Sequence, residues 1–92
     1  MDDAAVSPEA IRTAVKTIVA TITEREPAEI TDTAHFIDEL GIDSLSAIEL
    51  MVSVNRKYKI QIMDEEFLTI RNVNDAVAAV LRHVAAARGE AT

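Results

Sequence analysis

The sequence predicts an all-α fold: a small antiparallel bundle of three longer helices and one short helix, with a long loop after the first helix. Three observations carry this expectation. Three stretches repeat their apolar residues at the 3.6-residue period. The composition is 49% hydrophobic, yet only Phe36, Tyr58 and Phe67 are aromatic, so the core rests on Ile, Val, Leu and Ala. No run alternates well enough to form a strand; YKIQIM, the nearest candidate, is short and has nothing to pair with. With 92 residues there is room for a single domain with one hydrophobic core, helical from about residue 8 to residue 86 and frayed at both tails.

The first helix starts at SPE. Ser7 is the expected N-cap, Pro8 fits the first helical position, and Glu9 sits at the positive end of the helix dipole. Ile11, Val15, Ile18, Val19 and Ile22 then make one continuous face, and the pattern stops before Pro27, which places the end near Glu24. The following stretch, PAEITDTAHFIDELGID, holds neither period for long. It reads as a structured loop anchored by Ile30, Phe36, Ile37 and Leu40.

The second helix is expected from Ser44 to about Tyr58, with Asp43 as its N-cap. Asp64 is the expected cap of a short helix of about a turn and a half, with Phe67, Leu68 and Ile70 pointing inward. Asn72 caps the last helix, with Asp75 three residues on and Val73, Val77, Val80, Leu81 and Val84 along one face.

On a helical wheel the second helix carries two apolar rows. Ala47, Leu50, Met51, Val54 and Tyr58 share the side expected to pack against the other helices. Leu45, Ile48 and Val52 form a second row, more apolar surface than a small bundle needs to bury. Either the first loop covers it, or it is a docking strip for partner proteins, rimmed by Asp38, Glu39 and Glu49.

The remaining chemistry is sparse. There is no cysteine, hence no disulfide or thiolate metal site, and the acidic N-terminus lacks the parts of a signal peptide. No apolar run reaches the length of a membrane-spanning helix, so a cytoplasmic protein without a membrane role is expected. The net charge of −7 disfavours nucleic acid, since phosphate backbones would be repelled. His35 and His83 fall in different elements without metal-ligand spacing, and the acids of DELGID do not match a calcium loop, so no metal and no catalytic residue is assigned. GIDSL lacks the second glycine of a nucleophile elbow, which leaves a hydrolase built on Ser44, His35 and Asp43 without support. By position alone, Ser44 is an ordinary residue at a helix start.

Its context is not ordinary. LGIDSL, Leu40 to Leu45, followed by IEL at Ile48 to Leu50, resembles the acyl carrier protein family, whose hallmark is a D-S-L tripeptide opening the second helix after an L-G-x turn. The likeness runs through KIQIMDEEF to the Asn72 helix. It implies that Ser44 carries a 4′-phosphopantetheine arm transferred from coenzyme A, that Asp43 assists that transfer, and that the arm's thiol holds an acyl group as a thioester. The implied partners are a phosphopantetheinyl transferase, an acyltransferase or acyl-loading ligase, and a ketosynthase with other biosynthetic enzymes, all meeting a monomeric, non-catalytic carrier. Ser46 after D-S-L, the basic NRKYK and Met63 in place of a common proline depart from fatty-acid carriers and look more like polyketide-synthase carriers; the initiating Met suggests a free-standing one. Leu40 argues against the G-G-x-S-L of peptidyl carriers, though a carrier of an amino-acid starter unit stays open. So does an unmodified helical interaction module.

Overall fold

The computed structural model describes residues 7–87. Four α-helices follow in chain order: α1 (Pro8–Thr23), α2 (Ser44–Tyr58), α3 (Asp64–Phe67) and α4 (Val73–Ala87), with a single 3₁₀ turn at Pro27–Glu29 that the sequence did not announce. Among the described residues there is no strand. The tails expected to fray, residues 1–6 and 88–92, lie outside the described residues; Ala87 still belongs to α4.

Helix ends follow from local chemistry. Ser7 Oγ accepts the Ala10 N–H at 3.1 Å, which satisfies one of the free donors at the start of α1. α1 ends at Thr23, one residue before the expected boundary, because Glu24 turns left-handed at φ 58° and the Arg25 N–H returns to the Ala20 carbonyl at 2.9 Å. α2 ends in the same way at Tyr58, with Lys59 turning left-handed at φ 55°. Asn72 Oδ1 accepts the Asp75 N–H at 2.8 Å, and Asp75 Oδ2 accepts the Arg71 N–H at 3.0 Å, a reciprocal cap at the start of α4.

The core is made by α1 and α4 facing each other, with α2 packed against both. Ile11, Val15 and Val19 of α1 and Val73, Ala79 and Val80 of α4 are fully enclosed. Leu50 and Val54 come from α2, while Ile30, Phe36, Leu40 and Ile42 seal the bundle from the loop. No charged or polar residue is buried among the described residues, so cohesion rests on apolar packing, about 1.5–3 kcal/mol for each large side chain enclosed. Outside that core, Asp32 ties the loop to two helices. Its carboxylate meets Lys16 Nζ at 2.8 Å and Arg12 at 3.3 Å, and its carbonyl accepts the Asn74 N–H at 3.1 Å. The Lys16 hydrogen bond is the main reason the Asp32 carboxyl sits below its usual range.

The segment that resembled a strand has a specific occupant for its backbone groups. The Asn55 side chain donates to the Ile62 carbonyl at 3.2 Å and accepts the Ile62 N–H at 2.9 Å, doing locally what a neighbouring strand would do. Ile62 is thereby buried while Met63 points outward.

Three expectations need correction. Ile37, read as a loop anchor, is 59% exposed; Ile42 takes the inward position instead, because the turn at Gly41 reverses the chain between them. Leu68, expected inward, is 77% exposed, since α3 is a single turn and presents Phe67 and then Ile70 to the core. Asp64 is not the cap of α3 but its first residue; Met63 holds the cap position and offers no side-chain acceptor. Of the two alternatives for the second row of α2, the structure leaves the row open rather than covered by the loop.

Candidate functional site

The site begins with the turn that delivers α2. His35 Nδ1 lies 3.3 Å from the Ile37 N–H and 3.2 Å from the Asp38 N–H, accepting from both, and the Glu39 and Leu40 N–H groups return to the His35 carbonyl. Gly41 has φ 73°, a left-handed conformation that lets the Ile42 N–H reach the Phe36 carbonyl at 2.9 Å. The chain therefore buries Ile42 and leaves the next three residues, Asp43, Ser44 and Leu45, at the surface.

Asp43 caps α2: its Oδ1 accepts the Ser46 N–H at 2.8 Å and its carbonyl accepts the Ala47 N–H at 2.8 Å. The Ser46 hydrogen bond holds the Asp43 carboxyl below its usual range, so it stays ionised beside Ser44. Ser44 is the first residue of α2 and is exposed. Among the described residues no hydrogen bond joins it to His35 or Asp43, and the His35 Nδ1 is already occupied by the turn. A serine without a base is not a nucleophile in its own right. It is a hydroxyl presented to whatever approaches.

Two apolar features flank that hydroxyl. Along α2, Leu45, Ile48 and Val52 are 68%, 52% and 42% exposed, an open row at helical spacing. Asp38, Glu39 and Glu49 are also exposed. Adjoining the row is a cleft of about 600 Å³ between α2, α3 and the loop, with Ser44 on its lining and Ile48 shared between row and cleft. Phe36 and Ile42 of the loop, Ala47 and Met51 of α2, and Phe67 and Ile70 form much of its apolar wall. The cleft as a unit is not legible in the sequence, because its wall is assembled from residues that satisfy no common period. The α3 wall is held by Glu66, which meets His83 Nε2 at 2.7 Å and Arg82 at 3.1 Å on α4. His83, read as an ordinary helical residue, is thus a tether for α3. Its hydrogen bond is the leading cause of the lowered Glu66 pKa.

The polar residues on the cleft lining are His35, Ser44, Asp64 and Arg71. Arg71 was not singled out from the sequence, where it is one more charge in a break between helices. Its carbonyl accepts the Phe36 N–H at 2.8 Å while its own N–H is held by Asp75, so its backbone is pinned on both sides. Its guanidinium makes no ion pair among the described residues. Nor do the described residues include a cluster of three or more metal-ligating side chains, or a helix long and apolar enough to cross a membrane.

Comparison with known proteins agrees with this arrangement. Residues 13–80 match the family model described as a phosphopantetheine attachment site. The chain is 40% identical over 75 residues to the meromycolate extension acyl carrier protein of Mycobacterium bovis, a match that takes in 82% of this chain and 65% of that relative's length. It is 41% identical over 63 residues to an acyl carrier protein of Rhodococcus erythropolis, covering 68% of this chain and 69% of the relative. Among solved structures, the acyl carrier protein of Enterococcus faecalis superposes with a TM-score of 0.73 at 25% identity, over 84% of this chain and 98% of that one. An exposed serine opening a helix, an apolar cleft beside it and these matches together place the chain in the acyl carrier protein family, whose members are non-catalytic carriers of 4′-phosphopantetheine.

Proposed function

We propose that Ser44 is the residue that takes the 4′-phosphopantetheine arm, and that the protein presents acyl groups to the enzymes of an acyl-chain-building pathway. One observation carries the proposal: within LGIDSL, Ser44 alone combines an exposed position, the first turn of a helix and the edge of an apolar cleft. The residues present suit the group. A hydroxyl at a helix start is reachable by another protein's active site without unfolding anything, and nothing among the described residues encloses it. When attached, the arm supplies the thiol that this cysteine-free chain lacks.

The chain's own residues then have separable tasks. Ser44 offers the oxygen. Asp43 fixes the first turn of α2 and keeps a negative charge beside Ser44, suited to placing a metal and coenzyme A in the complex with a phosphopantetheinyl transferase. Leu45, Ile48 and Val52 offer apolar contact to partners, and Asp38, Glu39 and Glu49 favour partners with basic docking surfaces, which electrostatics would also steer. Those partners are the transferase, an acyltransferase or acyl-loading ligase, and a ketosynthase, met by a monomeric carrier in the cytoplasm.

The apolar wall of the cleft favours acyl cargo over an amino-acid starter unit, whose ammonium would be poorly placed there. The mycobacterial relative is named for meromycolate extension, which also belongs to acyl-chain extension. Ser46 and the basic end of α2 are the features that favour a polyketide-type pathway within that class. Intact-mass analysis after incubation with a broad-specificity transferase and coenzyme A is the test. Wild type should gain the mass of one arm, and Ser44→Ala should remain bare with an unchanged circular dichroism spectrum; a bare wild type, or a modified Ser44→Ala, overturns the proposal.

A further inference from the structure

The cleft beside Ser44 is apolar except for a few groups, and two of those on its lining, His35 and Arg71, are hydrogen-bond donors. His35 directs Nδ1 at two backbone N–H groups, so the ring's proton resides on Nε2, which makes the remaining nitrogen a donor. Arg71 is a donor and a fixed cation. The two residues belong to chain segments stitched together by the Phe36 N–H donating to the Arg71 carbonyl at 2.8 Å. Arg71 is further held through its N–H by Asp75 at 3.0 Å, so the base of its side chain is positioned in advance.

The chain carries a net charge of −7; Asp32 holds Arg12 and Lys16, and Glu66 holds Arg82. Arg25, Arg56, Lys57, Lys59 and Arg71 make no ion pair among the described residues, and of these Arg71 alone lies on the cleft lining, where the nearest acid to His35 is Asp38, 3.8 Å from its Nδ1. Arg71 has no such partner among the described residues. Asp64, the acid on the cleft lining, forms no ion pair with it. A guanidinium without an ion pair and a histidine donor, both on the lining of a mostly apolar cleft, are complementary to an anionic oxygen on a mostly apolar molecule.

We infer that His35 and Arg71 form an oxyanion-binding subsite for the group carried from Ser44. The inference rests on the attachment reading above and adds a specificity that the apolar wall alone would not provide. Two sources offer the required chemistry: the phosphodiester of the arm, and a carboxylate on the cargo. In the first case the subsite docks every loaded form; in the second it favours half-acid cargo over plain alkyl cargo.

The experiment compares four forms of the full-length ¹⁵N-labelled protein, each verified by mass: apo, arm-bearing, acetyl-loaded and malonyl-loaded. The readouts are the NMR resonances of the Arg71 Nε–Hε group and of the His35 ring. If the phosphodiester is the ligand, both move between apo and arm-bearing protein and change little thereafter. If a cargo carboxylate is the ligand, they move only in the malonyl form. In either case Arg71→Gln should lower the docked-to-free ratio of the carried group about three- to tenfold, the effect of removing one partly exposed charge-assisted hydrogen bond, and Arg71→Lys should restore part of it. Resonances that stay fixed across all four forms, with Ser44 shown by mass to be loaded, overturn the subsite and leave the carrier reading standing. A Ser44 that never gains the arm overturns both.

Discussion

Ile48 stands at the middle of the open row on α2 and is 52% exposed, so its side chain contributes little to the core. Ile48→Glu should change unfolding free energy by less than about 0.5 kcal/mol in urea titration, as for an ordinary surface substitution. The same change should lower the transferase's kcat/KM for this protein about tenfold, if the row is where partners dock. A large loss of stability with unchanged kcat/KM would instead make the row structural. Asp43 allows a pH test with a definite sign. Its folded pKa is depressed, chiefly by the hydrogen bond from Ser46, so its stabilising effect is complete above the usual carboxylate range and is lost as pH falls through and below it. Wild type should therefore exceed Asp43→Asn in stability at neutral pH, and the gap should close toward pH 3; a gap that widens in acid contradicts this account. At this scale the sequence was legible wherever a residue's role was local. Ser7, Asp43 and Asn72 act on N–H groups three residues away, so spacing alone identifies them. His83 and Arg71 act across the fold, on Glu66 and on the cleft, and spacing carries no trace of that.

Elements were legible in proportion to their length. α1, α2 and α4 each repeat their apolar period over several turns, and their boundaries fall within about a residue of those expected. α3 spans only four residues, too few for a period to assert itself, so which of Phe67, Leu68 and Ile70 turned outward depended on how one turn was seated. Loop positions failed for a related reason. Whether Ile37 or Ile42 faces inward is decided by the left-handed turn at Gly41 and the hydrogen bond from Ile42 to Phe36, neither of which has a periodic signature. The ends of α1 and α2 offer a prediction of their own. Each closes on a non-glycine residue in the left-handed region, Glu24 and Lys59, where a side chain carries a conformational cost that glycine avoids. Glu24→Gly should raise unfolding free energy by about 1 kcal/mol in urea titration. A clear loss would show that the Glu24 side chain contributes more than its backbone costs.

The whole molecule divides its apolar residues between two uses. One set, centred on Ile11, Val15, Val19, Val73 and Val80, is enclosed and holds α1 against α4. The other, along α2 and around the cleft, stays open, and the proposed function assigns it to partners and cargo. The sequence showed that α2 carries more apolar surface than a bundle consumes, but the cleft itself appears only when the loop, α2, α3 and Ile70 are brought together. This division predicts a strong contrast in cost. Ile11→Ala, at a fully enclosed position, should reduce unfolding free energy by about 2–5 kcal/mol. That is a large fraction of what a domain of this size has. Comparable losses from substitutions on the open row would contradict the division.

The central claim concerns a single oxygen. It is tested most directly by peptide-level mass spectrometry of the protein purified from the cells that produce it, which reads both the modification and the residue bearing it. The account predicts phosphopantetheine on the peptide containing LGIDSL, with fragment ions assigning it to Ser44 and with cargo mass on part of the population. A protein recovered entirely bare from cells whose other carriers are modified, or one modified at a different residue, would contradict it.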